Sequence, residues 1–183
     1  MIFLYAAIVG VLLGYAFGGR VSSLPSLRLR GIWLVLAGLV LQLLIFPLFS
    51  AKAFLPYATE PLHILSYALV FAFLVINLRT RPLIAIGGGA LLNFAAILAN
   101  GGRMPASAIA LERAGWIETA DRLSAAGTHG NVLLMSEATR LNVLGDWLYL
   151  PGVVPGATAF SIGDALILIG LVWLIVRGMR GHG

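Results

Sequence analysis

Seven acidic residues in a chain of 183 leave few candidates for acid–base chemistry, and two stand out by their setting. Asp164 lies in Phe160-Ser161-Ile162-Gly163-Asp164, about one turn into the last long apolar stretch, with Ser161 on its face three residues back. Asp146 lies eighteen residues earlier, in Leu144-Gly145-Asp146-Trp147. A carboxylate inside an apolar span is costly and faces a bundle interior or a wet cavity; at the edge of a span it caps the helix or pairs locally. Two carboxyls held close share a proton, one serving as acid and one as base, and such a pair activates water. Asp146 also has the plainer option of pairing at the surface with Arg140 or another arginine.

Neutral polar groups gather around the same level. Asn100 opens Asn100-Gly101-Gly102-Arg103-Met104-Pro105, where two glycines permit backbone turns closed to other residues. This is either a ligand-binding loop or a turn. Asn93 shares a helical stripe with Gly89, Ala96 and Asn100, and small residues on one stripe mark a helix–helix contact. His129, in Thr128-His129-Gly130, is a candidate for proton transfer or ligand binding, and His63 starts an apolar stretch at the same level. Gln42 reads as interhelical glue. The histidines and aspartates have metal-ligand chemistry but no metal-ligand spacing, so no metal site is expected. No phosphate loop, Gly-x-Ser-x-Gly elbow or His-Glu-x-x-His is present, and no cofactor is expected. The absence of cysteine excludes disulfides, thiolate ligands and thiol nucleophiles.

The elements that must position these groups are set by composition. The chain is 60% hydrophobic and 10% charged, where soluble domains carry about 25% charged residues. A single membrane domain, 1–183, is therefore expected. A span needs about 20 mostly apolar residues, and residues 2–18, 32–49, 62–78, 83–99 and 159–176 supply five. The fold class predicted is an all-α polytopic bundle, since backbone groups in lipid must be satisfied internally and barrel-type alternation is absent. Residues 2–18 lack a basic lead and a convincing cleavage site, so they read as a retained helix.

Three segments carry Arg20, Arg28, Arg30, Arg79, Arg81, Arg177 and Arg180 without one acidic residue. Placing them in the cytoplasm gives a bacterial inner-membrane protein with its N-terminus outside and C-terminus inside. Trp33 and Trp173 then fall near the cytoplasmic interface. The high pI follows from these scattered arginines and implies no nucleic-acid partner. Residues 100–158 form an extracytoplasmic cap in this reading. Pro105 opens an amphipathic helix with Ile109, Trp116, Ala120 and Leu123 on one face, ended by Gly127. Residues 132–150 are apolar but interrupted by polar side chains, and are expected as one or two short helices or a partly re-entrant element.

Asn100-Gly101-Gly102-Arg103-Met104-Pro105, Leu144-Gly145-Asp146 and Ser161-Ile162-Gly163-Asp164 together resemble a family of small bacterial polytopic membrane proteins classed as a domain of unknown function. That resemblance covers most of the chain and implies a membrane location. A second one is confined to the C-terminal half. Phe160-Ser161-Ile162-Gly163-Asp164-Ala165 looks like the Asn-Val-Ala-Asp element that opens the last helix of lipoprotein signal peptidases, and Gly88-Gly89-Ala90-Leu91-Leu92-Asn93 is similar to the stretch preceding their other catalytic aspartate. Where that aspartate is due this chain has Ala96, leaving Asp146 as the substitute. Two functions follow. One is a membrane protein that binds a lipid, small ligand or partner subunit at its outer face through Asn100, Gly101, Gly102, His129 and Ser161. The alternative is a membrane-embedded aspartyl hydrolase or peptidase using Asp146 and Asp164.

Overall fold

The computed structural model describes residues 2–45 and 59–181. The end of the expected second span and most of the connection that follows it lie outside the described residues. The chain is mostly helical. Its bundle comprises α1 (Ile2–Ala16), a 3-10 helix (Val21–Leu27), α2 (Ile32–Ile45), α3 (Thr59–Ile76), α4 (Arg81–Ala99) and α7 (Ile162–Met179), the last being separated from α4 by the cap. Among the described residues, α4 and α7 are each long and apolar enough to cross a membrane. A third span results if α1 and the 3-10 helix, bent by 106°, count as one; α2 and the Pro61–Ile76 part of α3 are shorter apolar helices.

Small residues let the bundle close. A side chain at Gly89 would strike the Gly163 carbonyl, and one at Gly163 would strike the Asn93 amide oxygen, so α4 and α7 meet at backbone distance. Asn93 and Ala96, on the same stripe of α4, are both buried. At one end of the bundle, Arg20 N–H donates to the Met179 carbonyl at 2.7 Å. There too Asn77, in the turn after α3, accepts from Arg30 N–H at 2.9 Å and donates to the Arg30 carbonyl at 2.8 Å. The three arginine-bearing segments are thus gathered at one end. The adjoining core is Leu34, Phe73, Leu74 and Leu83.

The cap at the other end corrects the all-α expectation: it contains two small sheets. In the first, β1 (Met104–Ala106) runs parallel to β3 (Val132–Leu134), which pairs antiparallel with β2 (Thr128–His129). In the second, β4 (Leu148–Tyr149) pairs antiparallel with β5 (Ala159–Phe160). Pro105 therefore lies in a strand and does not start a helix. Helix formation waits for Ser107, whose hydroxyl accepts the Ala110 N–H at 3.3 Å and caps α5 (Ala108–Arg113).

The expected single amphipathic helix is two. Gly115, at φ +83°, turns the chain between α5 and α6 (Ile117–Ala126), and the Trp116 indole donates to the Ala157 carbonyl at 2.7 Å. The stripe is broken accordingly: Ala120 and Leu123 are fully buried, whereas Ile109 and Trp116 are exposed. Gly127 does end α6, at φ +71°.

Residues 132–150 contain no α-helix, only a 3-10 turn at Asn142–Leu144. Val132–Leu134 enter the first sheet. The polar residues after them close a loop among themselves: Ser136 N–H donates to the Thr139 hydroxyl at 2.9 Å, and the Asn142 amide donates to the Ser136 carbonyl at 2.8 Å. Short polar side chains that satisfy backbone groups locally compete with a helix ladder. The cap meets the bundle through Ala96, Ile97 and Met104, with Tyr67, Val132 and Leu144 packed around them.

Candidate functional site

Ser161 follows β5 and is the N-cap of α7. Its hydroxyl accepts the Asp164 N–H at 2.9 Å, and its own N–H donates to Asp164 Oδ2 at 3.2 Å, a reciprocal capping box. The carboxylate also suits the positive end of the helix dipole. Asn93 of α4 completes the arrangement from across the helix contact. Its amide donates to Asp164 Oδ1 at 2.8 Å, and its amide oxygen accepts from the Ser161 hydroxyl at 2.7 Å. Each Asp164 oxygen thus receives an N–H, and the Ser161 side chain is fully buried. Asp164 is fixed in place by two hydrogen-bonded residues, Asn93 on α4 and Ser161 at the start of α7.

Asp146 arrives from the cap. Its backbone bridges to β1, with Asp146 N–H donating to the Pro105 carbonyl at 2.8 Å and its carbonyl accepting from Ser107 N–H at 2.9 Å. Gly145 makes this approach possible, because a side chain there would meet the Pro105 carbonyl at 2.5 Å. The Asp146 carboxyl accepts no hydrogen bond from the described residues and is half-buried. Burial, and then the charge of nearby Asp164, push it up to about 7. The site is a carboxyl that exchanges its proton near neutrality beside one locked as an acceptor.

Tyr67 of α3 lies within electrostatic reach of both carboxyls. Its ring packs 5.1 Å from Phe94 and 5.4 Å from His63, centroid to centroid. The sequence reading missed it, although His63, Tyr67 and Phe71 recur every fourth residue along one face of α3.

Residues 26–176 match a family of unknown function, DUF5317. The chain belongs to the DUF5317 family. No curated protein and no solved structure is significantly similar to it.

In this DUF5317 chain the other expected site residues are placed differently. Asn100 caps α4, but its amide is committed elsewhere: it donates to the Ala96 carbonyl at 2.8 Å and the Arg140 carbonyl at 2.7 Å, and accepts from Arg140 N–H at 2.8 Å. It clasps the loop after β3 and does not join the carboxyls. Gly101 and Gly102, at φ +65° and +85°, turn the chain back over the helix end, with Gly102 N–H donating to the Ile97 carbonyl at 2.9 Å. His63 Nδ1 stands 3.3 Å from the Gly102 carbonyl and steadies the loop from α3. His129 sits in β2 opposite Val132, half-buried in the sheet. Gln42 donates to the Ser66 hydroxyl at 3.2 Å, an α2–α3 contact. No cluster of three or more acidic or histidine side chains suited to a metal occurs among the described residues.

Proposed function

We propose that this DUF5317 protein is a five-span protein of the bacterial cytoplasmic membrane, N-terminus outside, whose outer cap binds the polar head of a lipid or small ligand at Asp146 and Asp164. One observation carries this reading: a carboxyl poised near neutrality, with no hydrogen-bond partner among the described residues, stands beside a carboxylate fully held by Asn93 and Ser161. A head bearing hydroxyl or ammonium donors complements that pair, and Tyr67 adds a hydroxyl at the same level. Gathering the arginine-bearing segments at the far end supports the orientation. Native mass spectrometry of the purified chain tests the binding. A lipid or small molecule retained by the wild type and lost from Asp146→Asn is the expected result; identical spectra overturn it.

The second reading is an aspartyl hydrolase, favoured by the same difference in proton affinity. Asp164 would take the proton of an attacking water while protonated Asp146 donates to the substrate carbonyl. The resemblance to lipoprotein signal peptidases supports Asp164 alone, since Ala96 is fully buried and offers no carboxyl. Cleavage of a lipidated peptide or lipid ester, abolished equally by Asp146→Asn and Asp164→Asn, would select this reading.

A further inference from the structure

The arginine-rich end of the bundle carries a feature independent of the carboxyl pair. Trp173, Val176, Arg177 and Arg180 line an open cavity of about 310 Å³ along the last turns of α7. Spacings of three and four residues put these side chains on one helix face. The volume falls within the range of small-ligand sites. Trp173 and Arg180 are exposed, and Arg177 is half-buried. Arg20 is held against this turn by its N–H bond to the Met179 carbonyl, adding a third guanidinium-bearing residue to the same end. None of the chain's seven acidic residues lies in the segments gathered here.

We propose that this cavity binds the phosphodiester head of an anionic phospholipid, with Arg177 and Arg180 on the phosphate and Trp173 at the level of the headgroups. A guanidinium offers paired N–H donors that match phosphate oxygens. An indole settles at the membrane interface with its ring in apolar surroundings and its N–H in the wet layer. Val176 gives the cavity an apolar wall, as the start of an acyl chain requires. Helix-end arginines also complement the C-terminal dipole, but that role needs neither the tryptophan nor a cavity. The inference rests on α7 crossing the membrane and not on Asp146.

The full chain is reconstituted in nanodiscs of phosphatidylcholine alone or mixed with phosphatidylglycerol, and separately given inorganic phosphate in detergent. The expected result is a melting-temperature rise with phosphatidylglycerol and none with inorganic phosphate. Arg180→Gln, a change of an exposed side chain after the helix, should weaken phosphatidylglycerol retention about tenfold, as loss of a charge-assisted contact implies. Arg177→Gln should do the same, and Arg122→Gln, at an exposed arginine of the cap outside both sites, should leave retention unchanged. Equal retention by wild type and Arg180→Gln overturns the site. A rise with inorganic phosphate matching that with lipid overturns the lipid assignment. An equal loss of retention in Arg122→Gln would show that the lipid answers to positive charge at large and would also overturn this site.

Discussion

Asp146 faces the start of α7, close to Asp164, because the strands between the two residues pair with each other. Leu148 stands opposite Phe160 and Tyr149 opposite Ala159. Continuing that register brings Asp146 level with Ile162, two residues short of Asp164. The eighteen-residue spacing is thereby folded back on itself, and the parallel bridge from Asp146 to Ala106 fixes the other side. Asp146 owes its position to backbone pairing and Asp164 to the capping box of α7, and their carboxyls interact without a bond between them.

Disrupting the Asn93–Ser161–Asp164 arrangement should cost more than disrupting Asp146. Asn93→Ala removes the donor to Asp164 and the acceptor for Ser161, and both groups lie in the packed α4–α7 contact. A loss of about 1–3 kcal/mol is expected for each buried polar group left unsatisfied. Melting in detergent should rank Asn93→Ala and Asp164→Ala well below wild type and Asp146→Ala near it. A large loss for Asp146→Ala with none for Asp164→Ala would reverse the ranking.

Asp146 should also make stability depend on pH. Its carboxyl rises from an ordinary value of 3.8 to about 7 in the fold. Between those values the native state holds a proton that the unfolded chain has released, so stability falls as pH rises across the window and levels off above it. Each unit of raised pKa corresponds to about 1.4 kcal/mol, reduced here because the carboxyl is only half-buried. Melting of the wild type should therefore drop between about pH 5 and pH 8, and that of Asp146→Asn should drop less. Parallel pH profiles would show that Asp146 does not titrate there.

The bundle was largely legible in the sequence, and the cap was not. Long apolar runs mark helices without reference to the rest of the fold, and Ser161 three residues before Asp164 is a local pattern that the structure uses locally. The strands of the cap are two or three residues long. Such segments have no periodicity to read and exist only because distant partners pair with them. The apolar residues of 132–150 are shared between the first sheet, a 3-10 turn and β4, so no single helical face emerges from them. Asn100 misled for a related reason: its type announces hydrogen bonding, and only the fold determines that Arg140 takes it.

The α4–α7 contact should not tolerate a methyl group. Gly163→Ala would drive its Cβ into the Asn93 amide and separate Asn93 from Asp164. Overpacking of this kind costs about 1–3 kcal/mol and here carries the loss of a hydrogen bond as well. Gly101→Ala, with nothing near its added carbon, meets only the strain of a left-handed backbone. Melting temperatures should fall clearly further for Gly163→Ala; equal falls would mean that the helices separate to admit the methyl.

The arginine-bearing end and the cap should lie on opposite sides of the membrane. Ser23 belongs to the 3-10 helix that packs by the end of α7, and Ala125 is exposed near the end of α6 in the cap. Single cysteines can be introduced against a background with no native thiol. In intact cells a membrane-impermeant maleimide should label Ala125→Cys and leave Ser23→Cys unlabelled until the membrane is opened. Ala53, expected from the sequence to label like Ala125, lies outside the described residues. Labelling of Ser23→Cys alone would invert the protein. Labelling of both would mean that the two ends are not separated by a bilayer, and α4 and α7 would then be a buried pair and not membrane spans.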